Sequence, residues 1–206
     1  SFNNTVAVLS GDYLLATSLA QAAMTSNLDI ISIISSLGKD LADGELLQLS
    51  NIGNQEFSEE VYYDVIKKKT AVLFISCAKA GALSAGISDE KVQNAALIGE
   101  YIGICFQIKD DIFDYFRSDE TGKPSGNDMQ EGKLTLPVLH VLNTTDDEEA
   151  KCIALSVKQG VATSEEISYL VEFTKQHHGI EYALSMMDEY RNKALSLLDQ
   201  YEDGPV

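Results

Sequence analysis

The sequence predicts an all-α fold, and three observations carry that prediction. Apolar residues recur at the helical period of 3.6 from one end of the chain to the other, while the period-2 alternation of a half-buried strand is nearly absent. Only 3 of the 206 residues are Pro and 14 are Gly, so long stretches hold no helix breaker. Ser or Thr followed by acidic residues recurs at candidate helix starts, where the helix dipole favours negative charge. The length and an apolar content of 45% suffice for one domain over residues 1–206 with a sizeable core.

The first helix is predicted from about Asn4 to Met24, with Leu15 and Leu19 on one face and Ala16, Ala20 and Ala23 on a neighbouring one. Ser26 opens a second, reaching about Leu49 with interruptions at Gly38 and Gly44. Ser58 is the predicted N-cap of a third, with Glu59 and Glu60 in its first turn, running through Tyr62, Ile66, Leu73 and Cys77 to near Leu83. The fourth begins at Ser88, followed by Asp89 and Glu90, and extends to about Tyr115. Residues 117–132 are polar and broken by Gly122, Pro124, Gly126 and Gly132, forming the one long loop, and such loops are usually functional. Shorter helices follow, with a capping box at Thr163-x-x-Glu166.

The net charge is −17, only two basic residues are Arg (Arg117 and Arg191), and no basic stripe appears. This argues against a nucleic-acid or anionic membrane-surface site. Cys77, Cys105 and Cys152 are widely spaced in apolar helical settings, as expected of buried free thiols in a reducing, cytoplasmic compartment. The longest nearly uninterrupted apolar stretch, Ala71 to Ala78, is far below the ~20 residues of a membrane span, so no transmembrane segment is expected. No signal or transit segment is visible. The chain starts at Ser1 inside what reads as a continuing pattern and is expected to be part of a longer protein.

The strongest chemical feature is Gln107-x-x-Asp110-Asp111-x-x-Asp114 at the end of the fourth helix. These four residues fall within a band of roughly 100° on the helix, placing three carboxylates and an amide on one face. Three adjacent anions require a neutralising cation if they leave water, and oxygen donors without His or Cys favour Mg²⁺. The bland alternative is a solvated acidic helix end. Against it stand the apolar Ile102, Ile104, Cys105 and Ile108 on other faces and the small Ala96, Gly99 and Gly103 below the acidic stripe. Those small residues leave room for either a close helix neighbour or an apolar ligand.

In Lys67-Lys68-Lys69-Thr70, Lys69 shares the face of Tyr62, Ile66 and Leu73, so it is expected to point inward and to need an anion. Lys123 and Lys133 flank the polar loop, where ammonium groups can close over a phosphate. Together with the aspartates, these lysines describe a site for a magnesium-chelated polyphosphate. His140, His177 and His178 show no ligand spacing and read as structural or exposed.

The chain resembles the trans-isoprenyl diphosphate synthases of the polyprenyl synthetase family. The resemblance runs through Gly11-Asp12-Tyr13-Leu14-Leu15, Gly44-Glu45 with Gln48, Lys69-Thr70 and Phe106-Gln107-x-x-Asp110-Asp111-x-x-Asp114. It continues in Gly122-Lys123-Pro124-x-Gly126-x-Asp128-x-x-Glu131-Gly132-Lys133-x-Thr135-Leu136-Pro137. It implies an isoprenoid-synthase-type helical bundle around a central cavity, expected to be incomplete at both ends. It also implies that an allylic diphosphate ionises with the help of Mg²⁺, that isopentenyl diphosphate adds to the cation, and that a proton is then lost. Asp110, Asp111 and Asp114 are the implied metal ligands, Asp110 directly and the others directly or through water. Lys69, Lys123 and Lys133 are the implied diphosphate-binding residues. Thr70 and Gln107, with Lys69, are the implied catalytic residues, the first two aiming oxygen dipoles at the allylic cation.

In the family, a first aspartate-rich motif, an arginine pair and the residues that hold isopentenyl diphosphate lie in the region N-terminal to Ser1, and a further helix follows the region of Val206. The 206 residues are therefore expected to hold half a site and to be inactive alone. The resemblance further implies a homodimer, for which the Ala-rich first helix offers a face. Ala16, Ala20 and Ala23 fit either the border of a tunnel for a medium or long polyprenyl product or close helix packing. One competing expectation is a non-catalytic subunit of a heteromeric prenyltransferase. Another is a terpene cyclase, against which Lys69-Thr70 stands together with the GKPSGND and EGKLTLP segments.

Overall fold

The computed structural model describes residues 3–51, 56–116 and 125–201, and every regular element among them is helical. Helix α1 (Asn4–Met24) has the predicted bounds and starts where the Asn3 side chain accepts a bond from the Val6 N–H. It packs chiefly along α2 (Leu28–Asn51). Ala22 is its one buried residue, and Val8, Leu9, Tyr13, Leu14 and Leu15 are each more than half exposed.

Among the described helices, α1 is long and apolar enough to cross a membrane by length and composition, with a mean hydropathy of 1.2 over its best 18-residue window. An uninterrupted apolar run does not register this helix. Its Ala, Ser, Thr and Gly residues break a run without lowering the average much, and Asp12 is its sole charge.

Helix α2 starts at Leu28 because Ser26 takes a left-handed φ of 52° and the Asn27 carboxamide oxygen accepts from the N–H groups of Asp29 and Ile30. It runs unbroken through both glycines. At Gly44 a Cβ would lie 2.9 Å from both the Lys68 Cβ and the Lys69 backbone nitrogen, so glycine is what permits this crossing.

The predicted third helix is divided. Ser58 caps α3 (Glu59–Ile66), a π turn occupies Lys67–Ala71, and α4 runs Val72–Ser84. A π turn inserts one residue and rotates everything after it by roughly 100°. Tyr62 and Ile66 are therefore buried, whereas Leu73 is 48% exposed and Cys77 is exposed, contrary to the single face expected for them. Cys152 is exposed as well and Cys105 half-buried, so the cysteines are free thiols but not the buried ones expected.

Helix α5 (Asp89–Phe113) lies against α4, the π turn and α10 (Gly179–Leu198). A Cβ on Gly99 would sit 2.7 Å from the Phe74 carbonyl oxygen, and one on Gly103 would sit 2.5 Å from the Ala71 Cα. The small residues thus serve a close helix crossing rather than an apolar ligand. After the short α6 (Asn127–Gln130) come α7 (Leu136–Thr144), α8 (Glu148–Lys158) and α9 (Ser164–Gln176), the last with both reciprocal bonds of its predicted capping box. The core joins α5 to these helices through Ile104, Ile108, Leu136, Val141, Val157 and Leu170, all essentially inaccessible. Each such side chain contributes about 1.5–3 kcal/mol of transfer free energy, which holds the C-terminal end of α5 rigidly beneath the site.

Candidate active site

A cavity of about 290 Å³ opens between α2, the π turn, the last turns of α5 and residues 128–135. Lys69 and Thr70 enter it from the π turn, a local irregularity that recurs at functional sites. Lys69 is oriented inward, as expected. Its Nζ lies 2.7 Å from Glu45 Oε2 and donates to Gln48 Oε1 at 2.9 Å, both from the α2 turn that the glycine at position 44 brings close. The lysine side chain keeps 36% exposure, so it stays within reach of an anion from solvent.

Asp111 is 4% exposed, and its carboxylate accepts from the Tyr62 hydroxyl at 2.6 Å on one oxygen and from Gln107 Nε2 at 2.7 Å on the other. Gln107 Oε1 in turn accepts from the Thr70 hydroxyl at 2.6 Å. Burial pushes the Asp111 carboxyl up to about 7, with nearby Asp128 and Asp110 adding to the rise and the two hydrogen bonds opposing it. Asp110 stands exposed on the cavity rim.

Asp114 takes a different place. Its Oδ1 accepts from both the backbone and side-chain nitrogens of Asn127, its Oδ2 from the Asp128 N–H at 3.0 Å, and its carbonyl from the Gly126 N–H. Gly126 has φ 83°, and a Cβ there would lie 2.8 Å from Ile167, so this turn requires glycine. The folded-back turn carries Asp128 into the cavity, where burial and then Asp114 raise its carboxyl to about 6, against the pull of Lys133. Lys133 Nζ pairs with Glu131 and lies 3.9 Å from Asp128.

The structure therefore brings Lys69, Thr70, Gln107, Asp110, Asp111 and Lys133 together around one cavity. It turns Asp114 toward the 126–128 turn instead, and Lys123 lies outside the described residues. Sequence reasoning gave no role to Asp128, although the residue lies inside a quoted motif, nor to Tyr62 or Lys158. Lys158 is 6% exposed, lines the cavity and donates to the Glu56 carbonyl at 2.9 Å. His140 lies apart from the cavity, stacked on Tyr182 and facing Glu59, in keeping with a structural role.

Among the described residues no group of three His, Cys, Asp or Glu side chains is placed to hold a metal ion by itself. Asp110 and Asp128 nevertheless fit a Mg²⁺ ion that retains waters or takes phosphate oxygens, because they are hard oxygen donors on one cavity. Burial first, and then the neighbouring Asp114, raises the Asp128 carboxyl, and a bound cation would oppose both effects.

Comparison with known proteins agrees with this geometry. The sequence model of the family described as "Polyprenyl synthetase" matches residues 1–174. The octaprenyl diphosphate synthase of Haemophilus influenzae is 33% identical over 199 residues, covering 96% of this chain and 60% of that protein. The heptaprenyl diphosphate synthase component 2 of Geobacillus stearothermophilus is likewise 33% identical, over 96% of this chain and 61% of its own length. The chain thus spans about three-fifths of the length of these relatives. Among solved structures, a geranylgeranyl pyrophosphate synthase from Bacteroides thetaiotaomicron superposes with TM-score 0.95 at 62% identity, covering 98% of this chain and 67% of that one. A polyprenyl synthase from Caulobacter crescentus, complexed with calcium and isoprenyl diphosphate, superposes with TM-score 0.88 at 30% identity over 97% and 61% of the two chains. With its Lys-Thr π turn, its aspartate-bearing α5 and the glycine-turned loop closing one cavity, this chain belongs to the polyprenyl synthetase family.

Proposed function

We propose that the protein carrying this chain is a prenyltransferase that condenses isopentenyl diphosphate with an allylic diphosphate to make a polyprenyl diphosphate. The observation that carries the reading is a single cavity in which Lys69 and Lys133 face Asp110 and Asp128 beside the linked oxygens of Thr70 and Gln107. The difficult step is charge separation at an apolar carbon. Bound Mg²⁺ supplies Lewis-acid stabilisation of the departing diphosphate, and Asp110 and Asp128 would hold it. Lys69 and Lys133 bind the diphosphate oxygens, with Lys123 as a third cation. Thr70 and Gln107 present oxygen dipoles to the allylic cation, and the diphosphate leaving group accepts the proton released after addition.

The names of the octaprenyl and heptaprenyl synthase relatives support a medium or long product. The nearly uncovered apolar face of α1 supports a homodimer built on that helix. The relative named component 2 supports a second reading of the assembly, in which this chain is the site-bearing member of a heteromer.

The test is to incubate the intact enzyme with isopentenyl diphosphate and a short allylic starter, with Mg²⁺ or with chelator, and to resolve products by chain length. Magnesium-dependent polyprenyl products are expected. Failure to elongate any allylic diphosphate would overturn the reading.

A further inference from the structure

Four side chains from three structural units form one hydrogen-bonded line: buried Tyr62 on α3, half-buried Thr70 on the π turn, and half-buried Gln107 and buried Asp111 one turn apart on α5. When ionised, the Asp111 carboxylate offers only acceptors, so the Gln107 carboxamide turns its nitrogen toward it. The carboxamide oxygen is then left for Thr70, whose hydroxyl hydrogen it accepts. With that hydrogen directed at Gln107, the remaining lone pairs of Thr70 Oγ1 are free of it. An amide flip would instead set N–H groups against the cavity and two acceptors against each other.

Tyr62 bonds the second carboxylate oxygen at 2.6 Å and is itself 7% exposed, so Asp111 has one protein donor on each oxygen and only 4% of its surface exposed. We propose that Asp111 and Tyr62 are positioning residues that lock the Gln107 carboxamide, and through it Thr70, with acceptor oxygens toward the substrate, Asp111 serving in this role rather than as a metal ligand. In its consequence for rate this rests on the prenyl-transfer reading. Its structural content does not.

The experiment compares Tyr62→Phe, Asp111→Asn and Asp110→Asn in the intact enzyme, by three readouts. Steady-state kinetics should show kcat about tenfold lower in Tyr62→Phe and about a hundredfold lower in Asp111→Asn, with KM for both diphosphates within about twofold. Mn²⁺ binding in the presence of inorganic diphosphate should be unchanged, within about twofold, in both variants and weakened at least tenfold in Asp110→Asn. In ¹⁵N spectra the Gln107 side-chain amide should show one slowly exchanging proton in the wild type, and that protection should be lost in both Tyr62→Phe and Asp111→Asn.

Loss of Mn²⁺ affinity in Asp111→Asn equal to that in Asp110→Asn would overturn the proposal, as would a Gln107 amide signal indifferent to both changes. If Asp111→Asn does not fold, Tyr62→Phe decides by the amide signal and the kcat against KM split. If the wild type transfers no prenyl group, the functional reading fails, while the metal and amide readouts still decide this inference.

Discussion

Asp114 holds Asp128 in place: the side-chain oxygen of the former accepts the backbone N–H of the latter at 3.0 Å, 14 residues further along the chain. One carboxylate of the α5 stripe thus positions a carboxylate from outside it. The acidic residues lining the cavity are Glu56, Asp110, Asp111 and Asp128 rather than three residues of one helix.

Asp114→Ala removes an acceptor that takes three N–H bonds in the 126–128 turn. Bonds to a charged group contribute about 1.5–3 kcal/mol each before relaxation, so a net loss of about 2–3 kcal/mol is expected in urea melts. Turnover should fall with it, because Asp128 loses its anchor. A stability change below about 0.5 kcal/mol would contradict the anchoring role.

Asp110→Ala should behave in the opposite way. The residue is exposed and no protein donor to its carboxylate is seen among the described residues, so stability should change by no more than about 0.5 kcal/mol. Turnover of the intact enzyme should drop at least about a hundredfold, as for loss of a charge-stabilising group at a polar transition state. Wild-type kinetics would refute the assignment of the metal to this rim.

The raised carboxyls set a pH dependence with a definite sign. Asp128 titrates at about 6 and Asp111 at about 7 in the folded chain, against 3.8 for an unperturbed carboxyl. Between these limits the folded state binds more protons than the unfolded state, so their contribution is fully present below about pH 4 and is lost as pH rises through about 6 to 7. In metal-free protein, Asp128→Asn, an isostere of the protonated form, should therefore match the wild-type melting temperature near about pH 4.5 and exceed it near about pH 7.5. Equal melting curves at both values would remove the case for a penalty on the ionised form of Asp128.

Gly103→Ala is expected to destabilise by about 3 kcal/mol, because the new methyl would meet the Ala71 Cα at 2.5 Å, where only backbone movement relieves the clash. The movement would displace the π turn and with it Lys69 and Thr70. Calorimetry together with allylic diphosphate binding should show both losses, and a fully stable variant would indicate a looser α4–α5 crossing than the one described.

The 206 residues produced by themselves should show no magnesium-dependent prenyl transfer. Among the described residues the cavity is lined by Lys69, Lys133 and Lys158, too few cationic partners for two diphosphates. Detectable elongation of an allylic starter by this chain alone would overturn that expectation.

The order of helices and most of their caps were legible in the sequence because helical periodicity and capping are local, and the family resemblance, with the helical spacing of Gln107, Asp110 and Asp111, pointed to Lys69, Thr70, Gln107, Asp110, Asp111 and Lys133, which line one cavity. Two things were decided only by the tertiary structure. The π turn, which turned Leu73 and Cys77 outward, arises where α3 and α4 meet α2 and α5 at Gly44 and Gly103, a packing constraint invisible to periodicity. The division of labour among the aspartates depends on which neighbours reach each carboxylate: Tyr62 and Gln107 for Asp111, and the Gly126–Asp128 turn for Asp114. The sequence alone determined that three acids share a helix face. Only the fold determined that one lies open to a cation, one is buried under two donors and one holds the loop, because desolvation and hydrogen bonding are set by neighbours distant along the chain.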